Sequence, residues 1–316
     1  MGYTLTIVGA AGRMGKWFFE YFNIIKNKAY HSNINCSLII DKILLYDIRE
    51  INYLTNYKDE NIVVINDVSK SIKTSDIILF CIPINDIIST IRNNITLFKP
   101  ESIIIEISSI KTAIHNILLD ISMDKNVVTL CIHPMFGPGA SISSSNKIIF
   151  IPVYKNNYQA EKNLLNKIFP YFEKIIIEEP DKHDLAIAVI ISLIYFINLV
   201  FSKFLLDLST AKEFKFEDNL MHFFKKISGS TFKIQSLLSE SILTDDISLF
   251  LSLFINNDKS LKTINVYGRL FNQLLEKIEK KDIDFIKDYI TSTKNGILKD
   301  VDIYKSYDIL YKFLNS

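Results

Sequence analysis

The sequence predicts an α/β protein with a doubly wound parallel sheet in its first half and an all-helical second half. Three observations carry that expectation. Short, continuous apolar runs alternate with helical patterns as far as Glu179, which is how strands covered on both faces read. A glycine-rich turn joins the first of these runs to the first helical pattern. Beyond Pro180 the helical period dominates and strand signals stop. The expected domains are therefore residues 1–179 and 180–316.

Each element follows from its local pattern. Residues 5–8 read as the first strand and 14–25 as an amphipathic helix. Further strands are expected at 42–46, 62–65, 77–82, 103–107, 127–132, 148–153 and 175–177. Pro83 ends the fourth of them, because proline cannot continue a strand ladder. After the boundary, Asp181 is placed to cap a helix opening at Lys182. Its stretch 185–201 is nearly all apolar. It falls slightly short of the ~20 residues that span a bilayer, so it is expected to be a helix buried on all sides in a domain or dimer core. Later helices are expected at 219–227, 231–239, 246–255, 259–280, 282–292 and 303–314.

Composition excludes several classes. Of 316 residues, 48% are hydrophobic and 22% charged, which is too apolar for a disordered chain. Lysine plus arginine come to 36 against 35 acids, so no basic excess points to nucleic acid. Cys36, Cys81 and Cys131 sit in apolar stretches without a CxxC pair. They read as reduced, buried thiols of a cytoplasmic protein, and no metal-ligand spacing occurs. The N-terminus has neither a basic start nor a small-residue cleavage site, so no signal peptide and no membrane anchor are expected.

The chemistry concentrates at strand ends. Gly9, Gly12 and Gly15 form a GxxGxxG turn, with Arg13 and Met14 opening the helix. Glycines there admit a tight turn, and the helix N-terminus presents free N–H groups to a pyrophosphate, as in a Rossmann-like dinucleotide site. Asp47 ends the second strand, where a carboxylate accepts ribose hydroxyls and repels a 2′-phosphate. NAD is therefore the expected cofactor, although Arg49 beside it is the residue type that NADP sites use. The bland reading of Asp47 is a turn residue. An insertion around 27–35 accounts for its long separation from the glycines. Pro83 is expected to shape a turn against the cofactor. Glu106-Ile107-Ser108-Ser109-Ile110-Lys111 ends the fifth strand, and serves either a substrate or the cap of the next helix. His133 opens HPMFGPG at the end of the sixth strand, and histidine titrates near neutrality, as a general base must.

Together, the glycine turn, the strand ending in an acid, FCIP, EISSIK, HPMFGPG and the pair His183-Asp184 before a long apolar helix resemble the prephenate dehydrogenase family. That resemblance implies an NAD-dependent oxidative decarboxylation of prephenate in tyrosine biosynthesis, with His133 as base and Ser109 bonding the substrate hydroxyl. It makes Lys111, His183, Tyr195 and Lys233 candidate substrate contacts. It also implies a homodimer built on the helical domain, with no fused chorismate mutase domain and no appended regulatory domain. Two departures stand out. Ser241 occupies the place of a carboxylate-binding arginine, in a chain with only four arginines, and Tyr195 stands where the family often has histidine. Arogenate, which carries an amine where prephenate has a keto group, makes the missing arginine less costly. A non-catalytic NAD-binding relative is the reading from a different class, but a pure binder needs neither Ser109 nor His133.

Overall fold

The computed structural model describes residues 2–31, 38–142, 146–210 and 220–315. Cys36 and residues 32–35 of the insertion expected around 27–35 lie outside them. By internal contacts the chain divides into two compact units, residues 1–187 and 188–316. The division falls later than the change of pattern at Glu179-Pro180.

The first unit is built on one sheet. Its strands are β1 (Tyr3–Val8), β2 (Ile40–Tyr46), β3 (Ile62–Val64), β4 (Ile77–Phe80), β5 (Ile103–Glu106), β6 (Val128–Pro134), β7 (Lys147–Ile151) and β8 (Glu173–Ile176). The helices are α1 (Arg13–His31), α2 (Val68–Thr74), α3 (Ile84–Asn93), α4 (Thr112–Lys125), α5 (Tyr158–Ile168) and α6 (Pro180–Ile187). The strand order is β3-β2-β1-β4-β5-β6-β7-β8. The chain first winds outward from β1 to β3, then returns and continues from β4 on the other side. That reversal between β1 and β4 is where α/β sheets open a ligand crevice.

Strands β1 to β6 pair in parallel, as their unbroken apolar runs predict. The expected parallel sheet is present, with one antiparallel pairing toward its edge. β7 runs antiparallel to β6, and β8 follows β7 in parallel. Residues 135–146 separate β6 from β7, and no helix occurs among those of them that are described. The core lies against the inner strands, where Leu5, Ile7, Ile43, Leu45, Leu79, Ile105 and Ile132 are wholly buried. Helix α1 adds an aromatic layer of Trp17, Phe18, Tyr21 and Phe22 against Phe169 and Phe172. The Tyr21 hydroxyl donates to the Ile168 carbonyl at 2.6 Å, which satisfies its polar end inside that layer.

One buried acid ties the far side of the sheet together. Glu161 on α5 accepts from the Val153 and Tyr154 backbone N–H groups and from Thr129 on β6. Burial outweighs those donors and pushes its carboxyl up to about 7. The folded state therefore holds this proton more tightly than the unfolded chain, whose glutamate titrates near 4.5. Stability from this group is present below about pH 4.5 and is lost as pH rises through about 7, by at most about 3 kcal/mol. His133 and His183, whose burial lowers their pKa values, act in the opposite sense, losing stability as pH falls. The difference between wild type and Glu161→Gln isolates the acid. Urea unfolding from pH 5 to 8 is expected to show a flatter fall in the variant. An identical slope in both proteins would place the dependence elsewhere.

The second unit is helical. Its elements are α7 (Leu193–Thr210), α8 (Leu220–Ile227), α9 (Ser230–Leu243), α10 (Ile247–Ile255), α11 (Asp258–Glu279), α12 (Ile283–Ile297) and α13 (Ser306–Asn315). Asn257 and Asp282 cap α11 and α12 by accepting from backbone N–H groups of the first turn. A buried polar seam holds α7 to α9. The Asn198 amide oxygen accepts from Ser239 at 2.7 Å and from Gln235 at 2.8 Å. Helix 180–208 is long and apolar enough to cross a membrane by length and composition alone, but its most apolar window is only 22% buried. Within the single chain the stretch 185–201 is therefore not covered on all sides. Leu185, Val189, Ile190, Leu199 and Val200 are exposed in the single chain.

Candidate active site

The glycine turn is shaped by contact as much as by torsion. Gly9 has φ +93°, a region that favours glycine. A Cβ there would lie 2.5 Å from the Cys81 carbonyl oxygen after β4. At Gly15 it would lie 2.0 Å from the Gly9 carbonyl oxygen, so α1 packs onto the turn only with glycine at both positions. Gly12 is less constrained, its nearest such contact being 3.2 Å. The turn hangs from β2 by Gly9 N and Ala10 N, which donate to the Tyr46 carbonyl at 2.8 and 3.1 Å. The first-turn N–H groups of α1 follow at Arg13 and Met14, Arg13 being exposed. A cradle that any side chain would fill, opening directly on a helix N-terminus, fits the pyrophosphate of a dinucleotide.

Asp47 lies at the edge of this cradle, and its carboxylate is almost wholly buried. Oδ2 accepts from Ala11 N at 2.9 Å, while Oδ1 accepts from Arg49 N at 2.9 Å and Arg49 Nε at 3.2 Å. Asp47 is thus tied to the glycine turn, a contact the bland turn reading did not foresee. The Arg49 side chain is 60% exposed. Its guanidinium is turned onto the carboxylate and would lie 3.4 Å from a Cβ at Gly12. Pro83 stands just before α3. β4 ends at Phe80, earlier than expected, and leaves Cys81, Ile82 and Pro83 in the loop facing the cradle.

Parallel pairing sets the remaining groups on the same sheet edge. Val8, Phe80, Glu106 and Cys131 form one row across β1, β4, β5 and β6. Gly9, Ser108 and His133 all follow within two residues of that row. Sequence reading places these motifs at strand ends; the ladder register aligns them.

Behind the edge is a buried ionic cluster. Lys111 and Glu106 are completely buried, with Lys111 Nζ 2.5 Å from Glu106 Oε1 and 2.6 Å from the Ile132 carbonyl. Glu106 also accepts from Ser108 N and Oγ at 2.9 and 2.6 Å and from Cys131 Sγ at 3.0 Å. Burial and the neighbouring Glu106 push the Cys131 thiol well up, so it is inert as a nucleophile. The Lys111 ammonium, a candidate substrate contact, is here engaged by Glu106 and the Ile132 carbonyl and closes the β5–α4 loop onto β6. The loop serine Ser108 joins that cluster, and Ser109 beside it is half-buried.

His133 is 4% exposed. Its Nδ1 lies 3.0 Å from His183 Nε2. His183 on α6 is fully buried, and its Nδ1 lies 2.8 Å from Asp184 Oδ1. Asp184 in turn accepts from Lys111 N and from Thr112 N and Oγ1, which start α4. Burial raises the Asp184 carboxyl, but the donors from His183 and Thr112 outweigh it and hold it below the usual range. Burial lowers His183 against the pull of Asp184. His133 is driven well below the ordinary histidine value by burial, then by His183 and Lys111. Both imidazoles are neutral at neutral pH. Both His183 nitrogens, in a residue expected either to contact substrate or to start a helix that joins the domains, are engaged inside the protein.

Two contacts of the HPMFGPG turn escape motif reading. Trp17, the single tryptophan, packs at a tilt against Phe136 with centroids 4.7 Å apart, and its Nε1 donates to the Ala140 carbonyl at 2.8 Å. The turn after β6 is thereby anchored on α1. A lone tryptophan in the first helix was the available signal. Gly137 and Gly139 have open space where a Cβ would stand, so neither is required sterically.

In the second unit, the Tyr195 hydroxyl donates to Asp245 Oδ2 at 2.6 Å. Lys233 is exposed on α9, and Ser241 is exposed near that helix's end. No group of three or more His, Cys, Asp or Glu residues suited to a metal occurs among the described residues.

Known proteins match this chain in both sequence and fold. Residues 39–168 match the family model described as prephenate dehydrogenase, nucleotide-binding domain. That match begins beyond the glycine turn, so the cradle stands on its own geometry. A probable arogenate/prephenate dehydrogenase of Methanocaldococcus jannaschii is 24% identical over 198 residues, 61% of this chain and 40% of that protein. The match thus spans less than half of that relative's length. A prephenate dehydrogenase structure from A. aeolicus, in complex with hydroxyphenyl propionate and NAD+, superposes with TM-score 0.68. It is 17% identical, and the alignment covers 95% of this chain and 98% of that one. Synechocystis arogenate dehydrogenase gives TM-score 0.61 at 17% identity, covering 94% and 100%. At these identities the structural likeness carries the fold.

Proposed function

We propose, for a chain whose residues 39–168 match the family model of the prephenate dehydrogenase nucleotide-binding domain, that it is an NAD-dependent dehydrogenase converting prephenate to 4-hydroxyphenylpyruvate. The observation that carries this reading is His133. It is buried, neutral, and aligned by the sheet register with the glycine cradle. A pure dinucleotide binder has no use for such a base.

The cradle of Gly9, Gly12 and Gly15, the α1 N-terminus at Arg13 and Met14, the carboxylate of Asp47 and the turn at Pro83 would hold NAD. When bound, the nicotinamide supplies a hydride acceptor. The chain's own residues do the rest. His133 takes the proton of the ring hydroxyl at Nε2, the nitrogen not engaged by His183. Ser109 bonds that hydroxyl and orients it. The carbon beneath it gives up hydride, and the carboxylate on the opposite ring carbon leaves as CO2, making the ring aromatic. Burial of His133 keeps it unprotonated, and so competent as a base, to well below neutral pH.

Arogenate is the second reading, and Ser241 favours it. A dianion in a partly buried site needs cationic partners, whereas arogenate needs fewer. The assay is NADH formation by the purified protein with NAD+, offered prephenate and arogenate separately. Turnover of prephenate is the expected result. Turnover of arogenate alone would move the assignment to that substrate, and turnover of neither would sink both. The exposed apolar side chains of helix 180–208 support a homodimer in which a second copy covers them.

A further inference from the structure

We infer that His183 and Asp184 are positioning residues that fix the tautomer of His133, leaving its Nε2 as the bare, proton-accepting nitrogen. The inference rests on the reading of His133 as the base and adds how that base is prepared.

The argument is one of donors and acceptors. Asp184 is ionised, because donors from His183 and from the start of α4 hold it so. A carboxylate only accepts, so His183 Nδ1, 2.8 Å away, carries a hydrogen. His183 is neutral, since burial lowers it. Its Nε2 is therefore a lone pair, and it faces His133 Nδ1 at 3.0 Å. Two lone pairs cannot face each other at that distance, so His133 Nδ1 must carry its hydrogen. One proton per neutral ring leaves His133 Nε2 unprotonated. The order Asp184–His183–His133 thus sets the tautomer by counting hydrogens. When Nε2 takes a proton, the new positive charge is met through Nδ1–H by His183 and, beyond it, by the Asp184 carboxylate. The charged groups facing this chain are Lys111 toward both rings, and Glu106 and Asp184 toward His183. Lys111 is spent on Glu106, which leaves Asp184 as the anion bonded directly to the chain.

Local sequence explains the rigidity. Asp184 is clamped by two successive backbone N–H groups, Lys111 and Thr112, at the start of α4, and α6 carries His183 and Asp184 as neighbours. The same EISSIK segment that closes over Glu106 therefore also seats the anion that orients the base.

The test compares His183→Phe, which fills the site without an acceptor, with His183→Gln, whose amide oxygen can take the Nδ1–H. Nitrogen NMR of labelled wild-type protein is expected to show His133 protonated at Nδ1. His183→Phe is expected to shift it toward the Nε2–H form and to lower kcat roughly 100-fold, with the Kd for NAD+ unchanged. His183→Gln is expected to restore the Nδ1–H signal and part of kcat. A merely structural role would not move the tautomer, nor separate Gln from Phe at equal thermal stability. An unchanged tautomer and kcat in His183→Phe, where His133→Asn lowers kcat as expected, would overturn the positioning role and leave the base standing. An undiminished kcat in His133→Asn would overturn the base, and the positioning role with it.

Discussion

His133→Asn is expected to lower kcat by about 10²- to 10⁴-fold, which is about 3–5 kcal/mol of barrier. Asparagine keeps a polar group of similar reach but cannot accept and hold a proton. The loss should fall on kcat and leave cofactor affinity alone. His133 sits on β6, and the strands β4 and β5 separate it from the glycine turn on β1. Steady-state kinetics with saturating NAD+, together with calorimetric titration of the cofactor, read the two quantities separately. A variant with undiminished kcat would remove His133 from the chemistry. A variant that loses NAD+ affinity instead would show that the turn after β6 serves the cofactor.

Lys111→Met is expected to cost about 3–5 kcal/mol of folding stability, because it strands a carboxylate in the interior. Glu106 is fully buried, and in the variant it keeps only the neutral donors of Ser108 and Cys131. Removing both charges in Glu106→Gln/Lys111→Met should recover part of that loss, since no unpaired charge then remains. Urea denaturation at neutral pH reads both variants. This result separates the buried-pair reading from a substrate-contact reading. A ligand-binding lysine would raise KM and leave stability nearly unchanged.

Much of the fold was legible because it is enforced locally. Unbroken Ile- and Leu-rich runs have no polar face to turn to water, so they read as strands covered on both sides. The glycine turn was legible for the same kind of reason. Gly9 takes a backbone angle that favours glycine, and Gly15 has no room for a Cβ. Asp47 and His133 were legible from their places at strand ends, since register carries such ends to one edge. The direction of β7 was not, because an apolar run has the same pattern read either way. What covers helix 180–208 was not legible for a related reason. An all-apolar helix looks alike whether its cover comes from its own chain or from elsewhere.

Lys111 and His183 mark the boundary most sharply. Residue type and neighbourhood made each a candidate for touching substrate. Which partner a polar side chain meets depends on groups brought in from distant segments. Glu106 and the Ile132 carbonyl reach Lys111 from two adjacent strands, and His133 reaches His183 across 50 residues. By itself the sequence determined the sheet, the cradle and the set of reactive residue types, because sterics and apolar periodicity act between near neighbours. Only the tertiary structure decided that the lysine closes a loop and the second histidine faces the first. A buried charge or lone pair must be matched by whatever the fold sets beside it, and that neighbour lies far away in the chain.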